Sequence, residues 1–114
     1  MDRAGIGKFC MTLPSATLDH PFGDDHDVWK VGGKMFAWVG GKGGVSFKVS
    51  DIAYEVLIES GRARPAPYLA RANWVNLPEI SDWRDDELAE HLAIAHGIVA
   101  AKLTKKVRAA LGLI

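Results

Sequence analysis

The side chains best suited to chemistry crowd into one short run, Asp19-His20-Pro21-Phe22-Gly23-Asp24-Asp25-His26-Asp27. It holds four aspartates and two of the chain's four histidines in nine residues. His20, Asp24, His26 and Asp27 offer the mixed nitrogen and oxygen donors that zinc or iron accepts. Pro21-Phe22-Gly23 stands between the two histidines, however, and aspartates beside such a turn commonly cap it or hydrogen-bond to their own backbone. Metal site and chain-turning joint are both consistent with these residues.

The remaining chemistry is sparse. Cys10 is the single cysteine, which rules out an intrachain disulfide and a multi-cysteine metal site. No histidine stands at a spacing that marks it as a nucleophile's partner, so Cys10 reads as an inert core thiol. Gly40-Gly41-Lys42-Gly43-Gly44 suggests a phosphate loop, but no Ser or Thr follows the lysine. It reads as a hairpin turn. His91 and His96 lie about 140° apart around a helix and do not converge on one ion; His96, beside an apolar stripe, reads as packed and hydrogen-bonded. Asp85 and Asp86 suit a helix N-terminus. Neither an enzyme nor a cofactor is expected.

Charge supplies a different signal. Formal net charge is zero, yet eleven of the fourteen basic residues fall in three segments without acids. Lys30, Lys34, Lys42 and Lys48 lie in Val28–Ser50; Arg62, Arg64 and Arg71 in Ser60–Pro78; Lys102, Lys105, Lys106 and Arg108 beyond His91. Such segregation can present opposite charges on different faces. Phosphate contact needs donors of this kind. Lys30, Lys34, Lys42, Arg62, Arg64, Arg71, Lys105 and Arg108 are the candidate nucleic-acid contacts, against the plainer alternative of solvated strand faces. Trp29, Trp38 and Trp74 fall in expected strands, where core packing is expected and base stacking is the alternative if they are exposed.

The elements that would position these groups fit one domain over residues 1–114. Composition is ordinary for a soluble protein, with 48% hydrophobic and 25% charged residues. The N-terminus lacks the apolar run of a signal peptide, and no stretch approaches the roughly 20 apolar residues of a membrane span. A cytoplasmic protein without membrane contact is expected. A helix over 3–13 should end at Leu13-Pro14. Residues 15–27 read as a polar connection. Val28–Val31 and Lys34–Val39 flank Gly32-Gly33, a pair that accepts positive φ in a tight hairpin. Val45–Ser50 forms a third strand, and Ser50 caps a helix with Gly61 just past its end. Patches at Tyr68-Leu69 and Trp74–Leu77 read as two strands around a turn near Arg71–Asn73, with Pro65 and Pro67 marking an edge. Leu88, Leu92, Ala95, Val99, Leu103, Val107 and Leu111 keep helical spacing through one long final helix, preceded by Ser81 or Asp82. The expected order is α-β-β-β-α-β-β-α: an α+β domain with a single mostly antiparallel sheet of about five strands, packed against helices on one face.

Phe9–Gly23, Val28–Gly40, Asn73-Trp74-Val75 and Ile98–Arg108 together resemble the MmcQ/YjbR family, most specifically in His-Pro-Phe-Gly, Lys-Val-Gly-Gly-Lys-Met-Phe-Ala and the Ala-Ala-Lys-Leu…Lys-Lys-Val-Arg stretch. The resemblance covers nearly the whole chain in order. It implies a fold similar to the frataxin homologue CyaY, a double-wing arrangement and a DNA-binding role. The wings would be the hairpins at 28–39 and near 63–77. Lys30 and Lys34 would flank the first turn, and Arg62, Arg64 and Arg71 would belong to the second. Many members carry a histidine and a Lys-Arg cluster between the tyrosine and the tryptophan; here Arg71 is the only charge in that place. The resemblance also makes His20-Pro21-Phe22-Gly23 the connection from helix to sheet, with Phe22 packed into the core, His20 hydrogen-bonded locally and no metal bound. A frataxin-like acidic iron surface would need acids on the first helix, and 3–13 has none. The expected partner is double-stranded DNA, bound without sequence preference and in a salt-sensitive manner. A protein-interaction or small-ligand module is the alternative.

Overall fold

The computed structural model describes residues 1–42, 44–67 and 69–113. Its first helix, α1 (Arg3–Cys10), starts where the Asp2 carboxylate accepts the Gly5 N–H at 2.8 Å, and buries Ile6 and Cys10, one turn apart, on a single stripe. Strands follow at β1 (Ala16–Asp19), β2 (Asp27–Val31), β3 (Lys34–Val39) and β4 (Val45–Lys48). Ser50 then caps α2 (Asp51–Glu59), its hydroxyl accepting from the Ala53 N–H. β5 (Arg64–Pro65) and β6 (Trp74–Leu77) complete one antiparallel sheet in the order β1-β2-β3-β4-β6-β5. The long helix α3 (Asp85–Ala101) and the short α4 (Lys105–Ala110) close the chain.

The α+β class and the single antiparallel sheet agree with the sequence, with six strands in place of about five. The added strand, β1, lies in what reads as a connection. It is a four-residue edge strand, mostly exposed, so only its pairing to β2 (Leu18 opposite Trp29) defines it. The final helix breaks at residues 102–104, although its apolar spacing continues. Thr104 takes an extended conformation there and caps α4 through the Val107 N–H, while Leu103 turns inward against the β2–β3 turn. α1 stops at Cys10, three residues short of the expected end. The expected strand at Tyr68-Leu69 begins on a residue outside those described, and Leu69 leads instead into a 3-10 turn, Ala70–Ala72. Pro65 does occupy an edge strand.

α3 and α1 pack on one face of the sheet. There Trp29, Phe36, Phe47, Leu88 and Leu92 are almost fully buried, each contributing roughly 1.5–3 kcal/mol. His96 packs edge-on to Phe36 (5.2 Å) and its Nε2–H donates to the Pro14 carbonyl at 2.8 Å, which fixes α3 to the end of the α1 loop. His91 sits against Phe47 and Trp83, and burial lowers its pKa.

A register shift between β2 and β3 decides what the other face presents. Trp29 pairs with Ala37, but Lys30 pairs with Met35, so Phe36 is an extra residue in β3. Phe36 and Ala37 both turn to the helices, which leaves Met35 and Trp38 on the opposite face. The two glycines of the connecting turn have φ +59° and +79°. A Cβ on Gly32 would stand 2.6 Å from Leu103 Cδ1, so only glycine lets α3's end seat against this hairpin.

Candidate functional site

One row of side chains crosses the face turned away from the helices. Val28, Trp38, Ser46, Asn76 and Arg64 are successive cross-strand partners on β2, β3, β4, β6 and β5. Its polar half is tied together. Arg64 Nε donates to Asn76 Oδ1 at 2.9 Å, and Asn76 Nδ2 donates to Ser46 Oγ at 2.9 Å and more weakly to the Val45 carbonyl at 3.4 Å. Ser46 is 2% exposed and Asn76 9%, so these bonds fix the base of Arg64 rigidly.

Two cavities open along this row and share Trp38 and Pro67. The first, of about 380 Å³, is walled by Phe22, His26, Met35, Trp38, Pro67 and Leu69. His26 stacks on Trp38 with ring centroids 5.7 Å apart and planes 18° from parallel; Phe22 meets Trp38 edge-on at 5.7 Å. The Trp38 Nε1 is shielded from solvent and has no acceptor among the described residues. The second cavity, of about 350 Å³, is polar, with Lys42, Ser46, Arg64, Asn76 and Glu79 on its walls. Gly44 also lines it, where a Cβ would stand 3.1 Å from the Leu77 carbonyl oxygen.

Phe22 is therefore not the core anchor the sequence suggests. It is 57% exposed and faces the sheet, because the loop from β1 to β2 folds back over the surface rather than under it. The same loop distributes its ionic groups into separate local pairs. Asp27 accepts from Arg3 Nε at 2.7 Å and from His20 Nε2 at 3.0 Å, Asp25 from His26 Nδ1 at 2.8 Å, and Asp19 from Lys30 Nζ at 2.9 Å. These bonds hold all three carboxyls below the usual range, chiefly through Arg3 for Asp27, His26 for Asp25 and Lys30 for Asp19. Among the described residues, no group of three or more His, Cys, Asp or Glu is placed to hold a metal ion.

The eight candidate cations do not share one surface. Lys42 and Arg64 line the polar cavity. Arg71 lies exposed in the 3-10 turn just beyond Leu69. Lys30 is bonded to Asp19. Lys34 and Lys105 are exposed near the β2–β3 turn, where Leu103 approaches Gly32, and the half-buried Arg108 follows one turn into α4. Arg62 stands apart: its guanidinium forms two bonds to Glu87 at 2.6 and 2.7 Å and lies 4.7 Å over the Trp83 ring. Trp29 and Trp74 are buried as expected, whereas Trp38 is half-exposed. Sequence reasoning passes over Met35, Ser46, Asn76, Pro67 and Leu69. The alternation Ser46, Lys48 in β4 carries a polar face, but its neighbours depend on strand register.

The arrangement pairs an aromatic-walled pocket with an anchored guanidinium and a lysine. It suits an anion next to a flat apolar group. Among curated proteins, no sequence matches the chain. In fold it is similar to the crystal structure of Deinococcus radiodurans protein DR2400, which carries the domain named DUF419. The two share 27% sequence identity and a TM-score of 0.84, with 96% of this chain and 86% of that one covered. The family model named YjbR matches residues 11–98, well over half the chain, and spans all six strands of the site's sheet with the segments that join them. The chain belongs to the YjbR family.

Proposed function

We propose that this chain is a non-enzymatic DNA-binding domain that holds phosphates with cations on its two hairpins and in the groove between them. The observation that carries this reading is the convergence of Lys42 and Arg64 on one groove, with Arg71 exposed in the 3-10 turn that follows Leu69 of the adjoining cavity. Lys34 adds a fourth exposed cation at the first hairpin's tip. None of these four forms an ion pair among the described residues, unlike Lys30 with Asp19 and Arg62 with Glu87. The double-wing arrangement implied by the family resemblance assigns contacts to the same two hairpins. The non-enzymatic part is supported by Cys10, which is fully buried with its thiol pushed up to about 12 by that burial, and by histidines engaged in local bonds or packing.

The test is a binding titration against a generic DNA at about 50 and about 200 mM salt. Four phosphate contacts on duplex predict a loss of roughly a hundredfold in affinity over that range. Lys34→Glu, Lys42→Glu and Arg71→Glu should each flatten the salt dependence by about one unit of log–log slope. Absence of binding at low salt would defeat the reading. The aromatic cavity favours a second one, a small-ligand or protein-interaction module with no nucleic-acid role, in which the charge reversals leave binding of the true partner unaltered.

A further inference from the structure

We propose that the cavity beneath Phe22, His26 and Trp38 is a base-stacking site, and that its occupant is an unpaired nucleotide of a single nucleic-acid strand. The inference rests on the nucleic-acid reading above and changes the form of the ligand from duplex to single strand. Among the described residues three rings border the pocket: Phe22 lies edge-on to Trp38 and to His26 (6.2 Å), while His26 stacks on Trp38. Phe22 is 57% exposed, so its ring contributes little to the core. The volume of about 380 Å³ falls within the range of pockets that hold small organic groups. Of these six residues only His26 and Trp38 carry polar atoms: the His26 Nδ1–H is given to Asp25, and the Trp38 Nε1 is shielded from solvent. The pocket therefore selects a flat apolar face over a hydrogen-bonding pattern. Every base has such a face, and stacking on aromatic side chains tolerates sequence for that reason.

Charge complementarity supplies the second half. Across Trp38 and Pro67 the apolar pocket gives way to the groove of Arg64 and Lys42. Arg64 is held at Nε by Asn76, and its terminal nitrogens have no partner among the described residues. Glu79 also lines this groove and keeps it from being uniformly basic. A ligand spanning both cavities must carry a ring and, beside it, an anion. A nucleotide does so, and a strand repeats the anion onward towards Lys42. Bases in a duplex are stacked on one another and cannot enter the pocket, whereas a single strand leaves their faces free.

The experiment compares four probes on the full chain by fluorescence anisotropy and competition. They are an oligothymidylate of about a dozen nucleotides, an abasic phosphodiester strand of equal length, a duplex of equal length, and thymidine monophosphate. The expected result is binding of oligothymidylate about tenfold tighter than of the abasic strand or the duplex. Phe22→Ala should bring oligothymidylate binding down to that of the abasic strand, and Trp38→Phe, which keeps a ring, should retain most of the preference. Equal binding of oligothymidylate and abasic strand would overturn the stacking site, as would a Phe22→Ala protein that keeps the preference. Duplex bound more tightly than single strand would overturn it too and leave the phosphate-binding reading standing. Monophosphate that competes as well as the oligomer would overturn the assignment to a strand. Failure of all four probes to bind at low salt would remove both readings together.

Discussion

Replacing Asn76 by aspartate tests whether the anchored Arg64 meets an anion. Asn76 Oδ1 already accepts from Arg64 Nε at 2.9 Å, and the aspartate keeps this bond in charge-assisted form. Asn76 Nδ2 gives its proton to Ser46 Oγ, whose hydroxyl can rotate and donate to the new carboxylate instead. Only the 3.4 Å contact to the Val45 carbonyl is lost outright. The change in folding stability should therefore stay within about 1–2 kcal/mol, far less than for an unpaired buried charge. Binding should respond more. A phosphate on the outer nitrogens of Arg64 would lie roughly 6 Å from the new carboxylate. Coulomb repulsion at that distance is about 0.7 kcal/mol at the dielectric constant of water and about 2.8 kcal/mol at an effective value near 20. Asn76→Asp should thus bind oligonucleotide roughly 3- to 100-fold more weakly at moderate salt, with a log–log salt slope lower by about 0.7–0.9. Urea unfolding followed by circular dichroism measures the first quantity and anisotropy titration at several salt concentrations the second. A folded Asn76→Asp protein with unchanged affinity and slope would refute any ligand contact by Arg64.

Three further outcomes follow from the packing and the titrating groups. Gly33→Ala should cost roughly 1–2 kcal/mol for its positive φ alone, since nothing lies within 4 Å of the added Cβ. Gly32→Ala should lose about 1–3 kcal/mol more through its clash with Leu103; equal losses in urea would refute the seating of α3's end on this hairpin. The hydrogen bond from Arg3, with His20, lowers Asp27's pKa, and burial lowers that of His91. In both cases the unfolded chain binds the proton more readily. Stability should fall as pH drops below about 6.5 for His91, and further below about 4 for Asp27. His91→Gln should flatten the upper window and Asp27→Asn the lower; thermal melts from pH 3 to 8 that retain both slopes in these variants would contradict the assignment. Finally, the Cys10 thiol, pushed up to about 12, should react with a disulfide reagent near pH 8 only as the protein unfolds. Labelling faster than urea-jump unfolding would show it to be accessible.

Sequence alone determined the parts of this protein that depend on local chemistry. Gly32-Gly33 dictated the β2–β3 hairpin, because a two-residue turn with both φ values positive suits glycine. Ser50 and Gly61 bracketed α2 through a cap at one end and a positive-φ residue beyond the other. Cys10 and His96 were legible as interior groups from the apolar residues around them. The resemblance in Phe9–Arg108 pointed to the family in the same way. Tertiary structure decided the candidate site, because its members come from five strands and from four connecting segments distant in the chain. One extra residue, Phe36, rotates Trp38 onto the open face, and a bulge of this kind becomes defined only when β3 pairs with β2. Phe22 and the aspartates beside it read as a joint with a core anchor, and a metal site as the lesser alternative, until the loop folds back. Its return places the ring on Trp38 and gives Asp19, Asp25 and Asp27 separate hydrogen-bonding partners. The basic segments were visible as composition, but pairing decided which charges stay available. Arg62 is neutralised by Glu87, twenty-five residues away, while Arg64, two residues on, is held at Nε by Asn76 and lines the groove.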